Sequence, residues 1–293
     1  MDMNYSISHK TTYSYFEPVS QCHNIIRLKP RSTGKQLCRN TVIRITPEPD
    51  TIDEYEDFFG NRVLYFSIDR EHRQLVVQMN TEIDKQDDAA IQPIPAFTVN
   101  DLLELLEQKN PLHNEVRQYI LDTPMTRWNE DIQKYALQSF RPETPLKDAA
   151  TDLMRRIHAD FEFRPGFTTI STPLSTVMQQ RKGVCQDFAH LAIACVRSIG
   201  LPARYVSGYI ETISPQGQEK LMGTDASHAW FSVYIPSFGW LDLDPTNNLL
   251  PSIQHITIGW GRDYTDIAPL RGIIVSSGLH ELSVAVDVRR NDI

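Results

Sequence analysis

The sequence predicts an α+β protein, in which an all-β N-terminal domain precedes a core formed by a helix packed on an antiparallel sheet. Residues 1 to about 85 alternate short β-rich stretches with turn residues, whereas helical periodicity starts at Asp101 and β-rich stretches return after Ile199. A polar and then proline-containing stretch, 86–99, separates the two patterns. We therefore expect a β-sandwich-like domain over 1–85 and a second domain over 86–293, with a helical lead-in and C-terminal strands.

The N-terminal region has the pattern of about six short strands. Its clearest β-rich stretches are 42–46 and 75–79, and turn residues follow at 47–50 and occur again at 60–61. The last strand of the chain is predicted over 282–288, where apolar and polar residues alternate.

Three helices are predicted in the second region. The first begins near Asp101, with Asn100 or Asp101 as the capping residue, and the second covers 146–161 with apolar residues four apart. The third covers 186–199 and ends at Gly200, since glycine favours the position after a helix and Pro202 prevents continuation. Strands are predicted to follow over 203–210, 229–235 and 240–243.

The composition of the chain indicates which kinds of molecule it is not expected to bind. The chain has 293 residues, 41% of them apolar, and a net charge of −8, so a core can form and a broad phosphate-binding surface is not expected. The short basic stretch 27–31 has no glycine-rich loop or stacking aromatics beside it, so we interpret it as a solvated loop. No apolar stretch approaches the ~20 residues of a membrane span. We expect no nucleic-acid or membrane partner, and the sequence leaves the oligomeric state open.

Four cysteines occur, at positions 22, 38, 185 and 195. They are too few for a disulfide scaffold and form no Cys-x-x-Cys pair. The polar N-terminus has no apolar signal segment, so we expect a cytoplasmic protein with reduced thiols. Cys195 lies on the apolar face of the third helix and is expected in the core, and Cys22 and Cys38 have no companion motif.

Cys185 is the candidate nucleophile because it lies at the predicted start of the third helix. Free backbone N–H groups and the helix dipole favour an anion there, and a thiolate is the reactive form of cysteine. Gly183 would let the backbone approach a substrate closely. For Cys185 alone, a small buried core cysteine is an equally good interpretation.

His228 and Asp244 are the candidate partners. His228 opens one strand and could take the thiol proton, while Asp244 ends the next strand and could orient the imidazole, although it could equally start an Asp-Pro turn. A simple hairpin pairing Ile235 with Trp240 would place Asp244 opposite Phe231. Contact with His228 therefore requires a bulge, a twist or a different register.

Several segments together resemble the bacterial transglutaminase-like family. They surround the three candidate residues and extend to both ends of the chain: 183–191, 201–209, 227–230, 239–247, 9–15, 58–61 and 261–272. The resemblance implies a papain-like or transglutaminase-like cysteine core, with Cys185, His228 and Asp244 as the catalytic triad. The wider group includes cross-linkers, proteases and amide hydrolases, so the reaction itself stays open.

Three functions are compatible with this pattern. In the first, Cys185 attacks a peptide or glutamine amide and forms a thioester that water or an amine resolves, with hydrolysis favoured and no cofactor required. In the second, the same fold binds a peptide without catalysis. In the third, Cys185, His228 and Asp244 ligate zinc, although no fourth ligand is evident. A peptide or protein substrate is expected in the first.

Overall fold

The N-terminal region is all-β, as predicted. The computed structural model describes residues 3–86, 93–108, 114–211, 227–276 and 278–291, so part of the predicted linker, 87–92, lies outside the described residues. Residues 3–85 form six strands. These are β1 (Met3–Val19), β2 (Gln21–Ile26), β3 (Gln36–Thr46), β4 (Thr51–Glu56), β5 (Arg62–Ile68) and β6 (His72–Lys85).

The α-helices of the described residues lie between positions 99 and 198. Among the described residues they are α1 (Val99–Glu107), α2 (Asn114–Arg117), α3 (Glu130–Leu137), α4 (Leu146–Asp160), α5 (Leu174–Gln180) and α6 (Cys185–Ser198). Two short strands, β7 (Glu162–Phe163) and β8 (Lys182–Gly183), pair in parallel beside them. In the described part of the chain, none of these helices has the length and apolar character needed to cross a membrane.

The remaining strands follow α6. They are β9 (Ala203–Ile210), β10 (Ser227–Ile235), β11 (Gly239–Leu243), β12 (His255–Gly261), β13 (Leu270–Val275) and β14 (His280–Asn291). Strands β9 to β12 form one antiparallel sheet in the order β11-β10-β9-β12, which we call the central sheet. The fold is therefore the predicted combination of an all-β region with helices on an antiparallel sheet.

The last two strands pair with the N-terminal strands. Strand β14 lies beside β1 in a sheet ordered β14-β1-β6-β3, and β13 lies beside β2 in a sheet ordered β13-β2-β5-β4. The sequence grouped these strands with 86–293, because an alternating pattern predicts a strand but not its partner. The last two strands thus complete the sheets of the N-terminal region. The division into two domains between residues 85 and 86 stays a prediction.

A shared apolar cluster joins the two N-terminal sheets to the central sheet. It contains buried residues of both N-terminal sheets together with Tyr209, Ile256 and Ile258 of the central sheet. Burial of such side chains is the main favourable contribution to folding. The N-terminal region therefore packs on the sheet that carries the candidate site residues.

The start of α1 differs from the prediction. Thr98 is the capping residue: its side chain accepts from the Asp101 N–H at 3.1 Å, and the Asp101 carboxylate accepts from the Thr98 N–H at 2.8 Å. This reciprocal pair is a capping box, which needs Ser or Thr three residues before an acidic group. Asn100 and Asp101 were the predicted caps, and both lie inside the helix.

Helix α6 is the central helix of the second region. Residues 187–198 are all buried, and its apolar side chains share a core with Phe231 and Val233 of β10. Gly200 follows the helix with φ +83°, in the left-handed conformation that a glycine after a helix supplies. The predicted end of the helix is thereby confirmed.

Arg197 fastens the C-terminal end of α6 to the surrounding loops. Its guanidinium donates to the carbonyl oxygens of Tyr119, Ala203 and Arg262 and to Thr126 Oγ1, at 2.7 to 2.9 Å. Burial lowers the pKa of Arg197 to about 10, so these acceptors compensate a cation taken out of water. These contacts fix the C-terminal end of α6, and the position of its first turn is fixed with it because the helix is buried along its length.

Candidate active site

Cys185 is the first residue of α6 and is half-buried. The preceding Val184 has extended backbone angles, so the chain enters the helix directly at the cysteine. The first N–H groups of a helix lack intrahelical partners and favour negative charge. The predicted location of Cys185 at the start of this helix is therefore observed.

Asp187 closes the first turn of this helix. Its buried carboxylate accepts from the Val184 N–H at 2.8 Å and from the Thr168 hydroxyl at 2.6 Å. Burial raises the pKa of Asp187, although these hydrogen bonds oppose the effect. A Cβ on Gly183 would lie 2.9 Å from Asp187. Gly183 is thus needed for this close contact with Asp187, and the close approach of a substrate backbone stays a prediction.

His228 lies near the start of β10 and is 7% exposed. Its Nε2 donates to Asp244 Oδ2 at 2.7 Å. Cys185 contributes to the raised pKa of this imidazole, so its thiol lies near the ring. Because Asp244 engages Nε2, Nδ1 is the ring nitrogen left for the thiol. The structure therefore brings Cys185, His228 and Asp244 together, and their catalytic roles stay a prediction.

The register of the β10–β11 hairpin explains the contact. Ile235 pairs with Gly239 and Phe231 with Leu243, one residue away from the predicted pairing of Ile235 with Trp240. Successive side chains of a strand point to opposite faces, so a shift of one residue changes the face. Continuing the observed register, Asp244 follows on the face that carries His228. Of the alternatives left open by the sequence, a different register is the one observed.

The two oxygens of Asp244 have separate partners. Oδ1 accepts from the backbone N–H groups of Thr246 and Asn247, at 2.9 and 3.2 Å, which is the Asx turn expected of an Asp-Pro sequence. Oδ2 accepts from His228 and also from His255 Nε2 at 3.1 Å and Asn247 Nδ2 at 2.8 Å. The turn-starting and imidazole-orienting interpretations of Asp244 therefore both hold geometrically.

The pKa values of His228 and Asp244 shift in the directions of an ion pair. Burial lowers the pKa of His228, but hydrogen bonds and charges of Asp244 and Cys185 outweigh it and raise the pKa to about 9. Burial also acts against the charged form of Asp244, yet the hydrogen bonds of His228 and His255 hold its pKa well below the usual range. The imidazolium and carboxylate forms are thus both favoured at neutral pH.

The other cysteines have different surroundings. Cys195 is fully buried in the middle of α6, where burial raises the pKa of its thiol to about 12. Cys22 is buried in the cluster between the N-terminal sheets, and Cys38 is half-buried beside Thr41 and Thr81. In the described part of the chain, Cys185 differs from these three thiols because it raises the pKa of an imidazole, that of His228.

His255 and Asn247 were not predicted from the sequence. His255 is 1% exposed at the start of β12, and its approach to Asp244 depends on β12 pairing with β9, a long-range contact without a local pattern. Asn247 does follow Asp244 by three residues, a spacing at which Asn and Asp side chains often interact within a turn. That spacing could have predicted the contact between Asn247 and Asp244.

One group of side chains has the composition of a metal site. The ligand atoms of His228, Asp244 and His255 all lie within 4.8 Å of one another, and Cys185 is not in this group. The atoms already contact one another directly, at 2.7 and 3.1 Å. An ion would have to replace both hydrogen bonds, so the donor set fits a hydrogen-bonded network better than a zinc site.

A large cleft adjoins the network on the side away from α6. Its volume is about 1110 Å³, and its lining includes His255, Trp230, Trp240 and Trp260 together with Arg204. Cys185 and His228 are not among its lining residues. The cleft therefore reaches the network at His255 and not at the thiol.

Comparison with known proteins identifies the family. Residues 5–84 match the bacterial transglutaminase-like N-terminal region, and residues 133–245, which include all three candidate residues, match the transglutaminase-like superfamily. The uncharacterized protein Rv2569c of Mycobacterium tuberculosis is 38% identical over 294 residues, covering 97% of this chain and 92% of that protein.

Two further similarities are more distant. A protein-glutamine gamma-glutamyltransferase of Pseudomonas aeruginosa is 29% identical over 147 residues, which cover 44% of this chain and 21% of that protein. A crystal structure of a proposed cysteine protease from Cytophaga hutchinsonii superposes with a TM-score of 0.77 at 21% identity, covering 100% of this chain and 92% of that one, and so shares the fold. The chain belongs to the bacterial transglutaminase-like proteins of the transglutaminase-like superfamily.

Proposed function

We propose that this protein is a thiol-dependent enzyme that acts on peptide or glutamine amides through a thioester on Cys185. The observation that carries the proposal is the buried imidazole of His228, which donates to Asp244 and whose pKa the nearby Cys185 helps to raise. A nucleophile beside a base that a third group orients is the arrangement used in covalent acyl transfer. The family membership supports an enzymatic role for the same residues.

The proposed acylation begins with the thiolate of Cys185 and the imidazolium of His228. The sulfur attacks the carbonyl carbon and forms a C–S bond, and the charge that develops on the oxygen is stabilised by N–H groups at the first turn of α6. The C–N bond then breaks, and His228 gives its proton to the departing nitrogen. Asp244 keeps the imidazole oriented and favours its charged form throughout.

Deacylation completes the cycle. Neutral His228 takes a proton from water or an amine, whose oxygen or nitrogen attacks the thioester carbon, and the C–S bond breaks to restore the thiolate. Water as the acceptor gives hydrolysis, and an amine gives transfer. We propose hydrolysis as the main outcome, because no feature of the sequence marks an amine-acceptor site and water is always available.

The similarity to a protein-glutamine gamma-glutamyltransferase favours an amide as the substrate group. That similarity covers less than half of this chain, so the partner is proposed only as a peptide or protein. All four cysteines are free, which agrees with a reducing compartment, and we propose the cytoplasm.

Mass spectrometry of a peptide library incubated with the protein and a primary amine tests the proposal. Peptide cleavage or glutamine deamidation is expected, and amine incorporation would identify transfer. Each product should be lost in Cys185→Ala and kept in Cys195→Ala, the matched control on the same helix. Peptide binding without any product in the wild-type protein would show a binding module and contradict the proposal.

A further inference from the structure

Asp244 receives an unusually complete set of donors for one buried carboxylate. Its exposure is 0%, and five N–H groups converge on it: two backbone groups on Oδ1, and His228, His255 and Asn247 on Oδ2. Hydrogen bonds to the charged form stabilise a carboxylate that has lost its water. The candidate triad supplies only one of these five donors.

The protonation of His255 follows from its two contacts. Its Nδ1 lies 3.4 Å from the backbone nitrogen of Ser252, which can only donate, so Nδ1 accepts. The ring proton of the neutral imidazole then lies on Nε2, which faces Asp244 Oδ2 at 3.1 Å. Ser252 thus selects the tautomer in which His255 donates to Asp244.

His255 is fixed in place by packing as well. Its ring meets Trp230 edge-on, with centroids 5.3 Å apart, and lies 6.0 Å from the ring of His228. His228 and His255 therefore contact the same oxygen of Asp244, but only His228 also contacts Cys185. Their roles cannot be the same.

We propose that His255 is a positioning residue, which acts through Asp244 to hold the imidazole of His228 against the Cys185 thiol. This inference rests on the proposed function for its catalytic meaning. Together with Asn247 Nδ2, the neutral Nε2–H donor of His255 fixes the orientation of the Asp244 carboxylate at Oδ2, since the Asx turn holds only the other oxygen. A displaced carboxylate would orient His228 less well, and the thiolate would be less populated.

Two substitutions at position 255 separate donation from packing. His255→Gln places an amide N–H near the position of Nε2 and removes the ring, whereas His255→Phe keeps the ring shape and removes both nitrogens. The rate of Cys185 alkylation by iodoacetamide near neutral pH, measured by peptide mapping, reports thiolate population without any substrate. Turnover of a peptide found in the library provides the second readout.

If His255 acts by donation, His255→Phe should lower both the alkylation rate and the turnover on the order of tenfold, as expected for the loss of one hydrogen bond to a charged group. His255→Gln should retain most of the wild-type value of each. The reverse order, with Phe tolerated and Gln impaired, would show that only packing matters and would overturn the proposal. So would equal rates in all three proteins. Loss of wild-type alkylation on treatment with a chelator would identify a metal site instead.

Turnover tests the proposed function, and the alkylation rates test the role of His255. A wild-type protein without turnover contradicts the function, yet the order of the alkylation rates still decides whether His255 positions the network.

Discussion

The first turn and the middle of α6 each carry a cysteine, in opposite surroundings. Cys185 is half-buried at the start of the helix near His228, whereas Cys195 is fully buried and its Sγ lies 3.7 Å from the carbonyl oxygen of Ile132. Ten residues of one helix therefore separate a partly exposed thiol from one that is buried in the core. Position along the helix, and not residue type, determines the surroundings of each thiol.

The largest expected effects come from removing each thiol. Cys185→Ala should abolish turnover with little change in stability, because the thiol is proposed to act in chemistry. Cys195→Ser should leave the site intact but destabilise the protein by roughly 1–3 kcal/mol, since a hydroxyl replaces a thiol in an apolar environment. Activity assays and thermal melts of both variants test the contrast. A larger melting shift for Cys185→Ala than for Cys195→Ser would make Cys185 a structural residue.

Asp242 lies in β11 and Asp244 directly follows this strand, so the two carboxylates allow a second comparison. Asp244→Asn should lower turnover by about 10–10³-fold, less than in serine triads because a thiolate needs less help from its base. If the new amide nitrogen took the place of Oδ2, it would face the N–H donors of His228, His255 and Asn247 and could not accept from them. The acceptor that fixes the tautomer of His228 would then be lost. The control is Asp242→Asn, because Asp242 accepts from the Ser232 hydroxyl and, within the described part of the chain, makes no hydrogen bond with His228. A greater loss of turnover in Asp242→Asn would reject the assignment of Asp244.

The His228–Asp244 pair also predicts a pH dependence of stability. The folded-state pKa of His228, about 9, is above the ordinary value of 6.5, so the protonated imidazole stabilises the fold. This contribution is complete below about pH 6.5 and is lost as pH rises through about 9, amounting to at most about 3 kcal/mol. The stability advantage of the wild-type protein over His228→Gln, from denaturant unfolding, should shrink across this range. An advantage that grows with pH would mean that His228 is neutral in the folded protein.

Local patterns predicted the elements of the site well. The apolar face and the Gly200 end of α6 are confirmed, and strand β9 covers the predicted residues. These features depend on residues close together in sequence, where periodicity and capping operate. The segments around Cys185, His228 and Asp244 also carried the family resemblance.

Long-range pairing was beyond such patterns. The sequence could not show that β14 pairs with β1, or that β12 brings His255 to Asp244, because a strand's alternation does not identify its neighbour. The hairpin register was wrong by one residue, since the loop contains three residues and Gly239 pairs with Ile235. Positive φ values at Ser237 and Gly239 allow that tighter turn, and neither was evident from composition.

Competitive alkylation of the four cysteines shows whether Cys185 is the most reactive thiol of the protein. The native protein is treated briefly with iodoacetamide near neutral pH, and the labelled positions are quantified by peptide mapping. We predict that Cys185 is labelled fastest, because its thiol lies at a helix N-terminus and near the imidazole of His228. We also predict that His228→Gln removes most of this advantage. Labelling of Cys185 at or below the rate of Cys38, which is also half-buried, would contradict the assignment of Cys185 as the nucleophile.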